Sequence, residues 1–197
     1  MTGRGKSQLA RALFLSAPAP RLVIDPADSS ATELDGAVTF HDATRATNDA
    51  GESWREAATA RFVPHDPDDL DAYDAVYRWA FYAGPRRIWL DEAIFVLPSQ
   101  GRKAPWARKY VVMGRKRQLG HQACHTRTVE IDPNLIAQAQ HVFVFALPHP
   151  ADRARIADLT GIALATLETE LAALEHHGFL HWDQAATTLT AYPALRL

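Results

Sequence analysis

The residues best equipped for chemistry are Lys6 and Ser7 near the amino terminus and Asp91 and Glu92 near the middle of the chain. Gly3-Arg4-Gly5-Lys6-Ser7 reads as the end of a phosphate-binding loop running into a helix. Glycines let successive backbone N–H groups turn inward, a lysine neutralises the outer phosphates, and a hydroxyl holds magnesium. In the full pattern G-x-x-x-x-G-K-S the first glycine falls one residue before Met1, and no apolar strand leads into the loop. The other half of a site lies in R-R-I-W-L-D-E at 86–92. Ile88, Trp89 and Leu90 suit a short buried strand, and two carboxylates tip it. Such acids need a cation, a hydrogen-bond network or a polarised water, and the C-terminal edge of a parallel sheet is where ligands bind. Joined, the two motifs fit magnesium-assisted in-line attack on a γ-phosphate: Asp91 holds the metal, directly or through water, and Glu92 orients and deprotonates the attacking water. The plainer reading of the acids is that they cap the following turn.

The elements that must position these groups follow an α/β rhythm. A helix is predicted over about 6–16, with Leu9, Leu13 and either Ala10 or Phe14 on one face and Pro18 and Pro20 ending it. R-L-V-I-D at 21–25 reads as a central strand stopped by Pro26, 37–40 looks extended, and 44–53 is a polar loop. A short buried strand at 60–63 precedes the clearest helix, with Asp66 as cap, Pro67 in its first position, and Leu70, Tyr73, Tyr77, Ala80 and Phe81 on one face up to Gly84-Pro85. Strand, helix and strand in succession form a crossover unit that favours parallel pairing. Beyond it the pattern predicts a basic helix over about 104–117 with Trp106, Tyr110 and Met113 on its apolar side, a strand at 122–126, a short helix at 133–140 and an apolar strand at 141–147. Two helices follow, at 152–159 and at 164–175 with Leu164, Leu167, Leu171 and Leu174 aligned. A hairpin at 179–182 and 187–192 closes the chain.

At 197 residues and 47% hydrophobic content the chain holds one sizeable core, read as a single domain over 1–197. A net charge of −2 gives no overall basic field, so any nucleic-acid contact is local. The single cysteine, Cys124, excludes an intramolecular disulfide and suggests a reducing compartment. No apolar run has membrane-spanning length, and 4–19 mimics a signal peptide only with a short apolar part that Arg11 interrupts. The expected location is cytoplasmic.

The order G-R-G-K-S, R-L-V-I-D-P, R-R-I-W-L-D-E-A, Gly114-Arg115, H-T-R-T-V-E-I-D-P and H-V-F-V-F resembles the FtsK and HerA-like P-loop ATPases, motors of chromosomes, conjugation systems and phages. The resemblance spans 3 to about 180. It implies a three-layer RecA-like α/β core with a mostly parallel sheet, ATP as substrate with Mg2+, and a homo-oligomer, usually a hexameric ring with nucleotide between subunits. By position it implies that Gly3, Arg4, Gly5, Lys6, Ser7 and Gln8 bind nucleotide, that Ser7 and Asp91 hold the metal, and that Lys6, Glu92 and Arg127 are catalytic. Thr126 stands where the family's sensor glutamine is expected. The family's first strand, which lies centrally in the sheet and anchors the loop, has no counterpart here, and the expectation is that the chain begins late.

Three other features carry weaker readings. Arg115-Lys116-Arg117 reads as a solvated helix end, with contact to DNA or to a neighbouring subunit's nucleotide as the alternative. His121, Cys124 and His125 do not make a zinc set, since a strand alternates its faces and no second cysteine exists. The doublet His176-His177 reads as the complement of a helix C-terminus. The segment 151–197 also looks like a winged helix, which makes a DNA-binding regulator the alternative function. Its second helix, however, carries Glu168, Glu170 and Glu175 with no Lys or Arg, so packing on the core is favoured.

Overall fold

A computed structural model describes residues 5–83 and 87–195. Gly3, Arg4, the Gly84-Pro85 helix stop and Arg86 lie outside these described residues.

Near-continuous apolar runs such as Leu22-Val23-Ile24 and Ile88-Trp89-Leu90 require a sheet covered on both faces. Strands β1 (Arg21–Ile24), β2 (Val38–Phe40), β3 (Thr59–Phe62), β4 (Arg87–Leu90) and β5 (Gly120–Ala123) form one sheet in the order β2-β3-β1-β4-β5. Every pairing in it is parallel, with Ile24 opposite Phe62 on one side and Leu90 on the other. Leu22, Ile24, Ile88 and Leu90 face the main core, which also holds Tyr73, Tyr77 and Tyr110 from helices α2 (Leu70–Tyr82) and α3 (Pro105–Met113). Val23, Trp89 and Cys124 face the other way, against Ala10 and Phe14 of α1 (Lys6–Ser16). The Phe14 and Trp89 rings pack 5.7 Å apart. The period-2 pattern thus puts α1 on one face and α2 and α3 on the other, the expected three-layer α/β core.

Several local expectations shift. In α1 it is Leu9, Ala10 and Phe14 that are buried, while Leu13 is exposed, because the sheet contacts the 9/10/14 stripe. Helix α2 starts at Leu70 with Asp69, not Asp66, as its cap: Asp69 Oδ1 accepts from the Asp71 and Ala72 amides, whereas Asp66 closes the turn before it. Such a cap is worth about 1 kcal/mol. Helix α3 stops at Met113 and tightens into a 3-10 turn over Gly114–Arg117, which leaves Met113 exposed. Trp54, just after the polar loop, is fully buried with its ring stacked 3.9 Å from Phe40, an anchor that local composition did not reveal.

The largest correction concerns the strand expected at 141–147. After the short α4 (Asn134–Ala137), β6 (His141–Val144) leaves the parallel sheet and pairs antiparallel with β7 (Phe179–Asp183), which pairs with β8 (Thr188–Tyr192). Its alternation explains this: Val144, opposite Leu180, and Val142, opposite Trp182, present one apolar face to the main core. Between these strands lie α5 (Pro150–Thr160) and α6 (Leu164–Ala172). Only Leu167 of α6 is buried, and Leu164 is exposed. Leu167, Leu180 and Trp182 belong to the same apolar cluster as Leu22 and Ile88, so 150–192 packs on the core. His176-His177 lies in the turn beyond the end of α6 at Ala172. Among the described residues no helix is long and apolar enough to cross a membrane.

Candidate functional site

Parallel pairing brings the C-terminal ends of β1, β4 and β5 side by side, and the backbone ladder continues past them: the Asp91 amide donates to Ile24 O at 2.9 Å and the Cys124 amide to Leu90 O at 2.9 Å. Into this edge runs the first turn of α1. Gly5 caps it with φ 116°, a backbone open to glycine, and an added Cβ would stand 3.0 Å from Phe145 Cε1. Lys6, Ser7 and Gln8 therefore occupy the positive end of a helix whose first amides have no intrahelical partner.

The two distant motifs meet here. Lys6 Nζ lies 3.5 Å from Glu92 Oε1, and it donates at 3.5 Å to the Thr126 hydroxyl. Thr126 Oγ1 in turn donates to Glu92, 3.3 Å from each carboxylate oxygen. Glu92 holds a left-handed backbone, φ 52° and ψ 71°, unusual for a residue with a side chain and of the kind that concentrates at functional sites. Ser7 stands on the same helical turn as Lys6, and Gln8 is exposed beside it. Arg127 is turned elsewhere: its Nε donates to Asp152 Oδ2 at 2.8 Å and its Nη1 lies 3.8 Å from Glu130.

Asp91 is 5% exposed, and among the described residues its Oδ1 has no hydrogen-bond partner. Burial pushes its carboxyl up to about 6, and the negative charges of Asp25 and Glu92 push the same way against Lys6 and the Cys124 thiol. An orphaned, buried, proton-hungry oxygen beside a lysine and a second acid fits a hard divalent cation such as Mg2+. Cys124 is buried with its thiol raised to about 12, first by desolvation and then by Asp91, which makes it inert. His125 is neutral, its pKa lowered to about 4 by burial and then by Lys6. His121 is half-buried and bonded to the Tyr77 hydroxyl at 2.9 Å.

The sign of the Asp91 effect is testable. Below pH 3.8 the carboxyl is neutral in both states and contributes nothing; between 3.8 and about 6 the fold keeps a proton that the unfolded chain has lost, so stability falls as pH rises. Above pH 6 the penalty levels off at about 3 kcal/mol. Asp91→Asn therefore raises the thermal midpoint of the metal-free protein by several degrees at pH 7.5 and leaves it near the wild-type value at pH 3.5, as followed by circular dichroism.

Sequence reasoning passed over the neighbouring network. Asp25, at the tip of β1, is fully buried and accepts from the Ser29 amide at 2.8 Å, from the Thr32 hydroxyl, and from Arg61 Nη2 at 2.7 Å. Arg61, from the strand read as buried, also reaches Asp28 at 2.8 Å and Thr32 at 3.0 Å. The signal was present: an arginine inside a buried strand needs a buried acid, and 21–25 ends in one.

No protein-family model matches the chain, and no curated protein matches it. Solved structures do. The genome packaging NTPase B204 from Sulfolobus turreted icosahedral virus 2 in complex with sulfate superposes with a TM-score of 0.74 at 15% identity, covering 99% of this chain and 95% of that one. Its complex with ATP-gammaS gives 0.70 at 17% identity over 97% and 92%, and its complex with AMPPCP 0.72 at 15% over 98% and 95%. The chain has the fold of this genome packaging NTPase, with the three-layer α/β core and parallel sheet expected from the sequence.

Proposed function

We propose that this protein binds and hydrolyses ATP with Mg2+ as a motor-type ATPase acting on DNA. The observation that carries the reading is the meeting of Lys6, Thr126 and Glu92 beside the orphaned carboxylate of Asp91. The superposed viral NTPase, described as a genome packaging enzyme and solved with ATP-gammaS and AMPPCP, supports it.

In this reading the first turn of α1 cradles the phosphates with its free amides, and the Lys6 ammonium pairs with the outer phosphate oxygens. Ser7 and Asp91 would hold the metal, which would supply charge neutralisation of the triphosphate. Without nucleotide, Lys6 is engaged by Glu92 and Thr126; a triphosphate offers Lys6 a stronger partner and releases Glu92. Glu92 then takes a proton from water as its oxygen bonds to the γ-phosphorus and the bridging P–O bond breaks, its electron pair leaving with ADP. Thr126, placed between the two, reports the γ-phosphate to the β5 tip. Arg127, tied to Asp152, positions that tip against α5 rather than touching phosphate. The reading extends to a homo-oligomer, hexameric by the family resemblance, in the cytoplasm.

The test is phosphate release from Mg-ATP by the wild-type chain and by Lys6→Ala. The expected result is turnover in the first and at least a hundredfold loss in the second; equal rates remove the ATPase reading.

A further inference from the structure

Between Glu92 and Glu130 the sequence contains no acidic residue, yet it holds eight of the chain's 21 Lys and Arg; the rest carries 23 acids against 13 cations. Charge is therefore segregated in a protein whose net value of −2 conceals it. Four of the eight are spoken for: Arg102 pairs with Asp71, Lys103 and Arg108 approach Asp132 at 2.8 and 3.8 Å, and Arg127 pairs with Asp152 at 2.8 Å. The other four, Lys109, Arg115, Lys116 and Arg117, lie on the last turns of α3 and the 3-10 turn after it. Among the described residues none of these four has a carboxylate within ion-pairing distance.

Two of them are fixed by rings instead. Lys109 Nζ stands 4.1 Å from the centroid of Trp106, and Arg117 Cζ stands 4.5 Å from that of Phe81. Arg78, on α2, approaches Trp106 from 5.8 Å. Tyr82 packs 5.3 Å from Trp106 and is 61% exposed. A ring holds a cation in place without cancelling its charge, and leaves its N–H donors for an outside acceptor. A merely solvated helix end does not require this scaffold.

We propose that this face, built from the C-terminal turns of α2 and α3 and the turn Gly114–Arg117, binds duplex DNA through its phosphate backbone. Four unneutralised charges in one stretch suit a regular array of phosphates, and a duplex offers the denser array, one charge per about 1.7 Å of axis. The face also stands clear of the nucleotide site. Gly120 and Arg87 open β5 and β4 beside the basic turn, whereas Glu92 and Thr126 lie past the opposite ends of the same strands. DNA and nucleotide thus bind without competing. The inference deepens the motor reading by naming the surface that meets the polymer.

The test is fluorescence anisotropy of a labelled 20-base-pair duplex with the full chain, in a salt series without nucleotide. Four contacts predict a slope of about −3.6 in log affinity against log salt, which is about a 150-fold loss from 50 to 200 mM. Arg115→Glu/Lys116→Glu, both at exposed positions, and Lys109→Gln/Arg117→Gln should each weaken binding at least tenfold at 50 mM, with circular dichroism showing each variant folded. Neutralising two contacts should reduce the slope to about −1.8. Lys6→Ala should bind as wild type does, so loss of turnover and loss of DNA binding are separate failures. The proposal is overturned if the wild type does not bind, if both double variants bind like the wild type, if single-stranded DNA binds more tightly at equal phosphate concentration, or if polyglutamate displaces the duplex at equal charge.

Discussion

Glu92→Gln is expected to lower phosphate release by about 10²- to 10⁴-fold, the span that a positioned general base supplies, while nucleotide affinity stays within a few-fold of wild type. The amide keeps the size of the side chain and can still bond the Thr126 hydroxyl, so the tip of β4 keeps its shape. What it loses is the ability to accept a proton from water. Lys6 also loses its resident anion, and with it the contact that a triphosphate must displace, so affinity should shift towards tighter binding rather than weaker. Single-turnover phosphate release and equilibrium binding of a non-hydrolysable analogue measure the two effects apart. A parallel fall in both would make Glu92 a binding residue and move the base elsewhere.

Arg61→Ala is expected to destabilise the fold by about 3–5 kcal/mol, the cost of leaving a buried carboxylate without its partner. The pair is almost fully enclosed, with Asp25 at 0% and Arg61 at 7% side-chain exposure. Truncation strands Asp25 with only the Ser29 and Ala27 amides and the Thr32 hydroxyl. The loss also reaches the site, because the Asp25 charge is one of those that push the Asp91 carboxyl upward. Urea unfolding gives the first effect directly. The double variant Asp25→Leu/Arg61→Met restores most of the stability, since a buried ion pair replaced by apolar groups of similar volume is close to neutral. Recovery of stability without recovery of metal-dependent nucleotide binding would assign the pair a role at the site beyond holding β1 to β3.

How much of this was readable in advance differs by kind of signal. The limits of α1 at 6 and 16 and the parallel strands at 21, 59 and 87 follow from proline stops and short runs read as buried, which act locally and so appear in the sequence. The convergence of Lys6 with Glu92 was legible because each motif has its own chemical need and the crossover rule puts strand tips at one edge. The fate of β6 was not. H-V-F-V suits a strand in either sheet, and only its pairing with Leu180 and Trp182, some forty residues later, decides which one. Arg127 illustrates a second limit: its place in the motif says nothing of Asp152, the buried acid at the start of the helix expected at 152–159. The cation–ring scaffold on α2 and α3 was missed for a similar reason, because Phe81 and Arg117 are distant in sequence and meet only through helix packing.

The central claim is that the amino-terminal lysine and the acids tipping β4 form one Mg-nucleotide site. Calorimetric titration of ATP-gammaS into the wild type, Lys6→Ala and Asp91→Asn, with and without Mg2+, tests it most directly. The account predicts binding that needs Mg2+ in the wild type, a ten- to hundredfold weakening in Lys6→Ala from the loss of about 1.5–3 kcal/mol of charged hydrogen bonding, and loss of the Mg2+ requirement in Asp91→Asn. Wild-type affinity in both variants, with or without the metal, would contradict it.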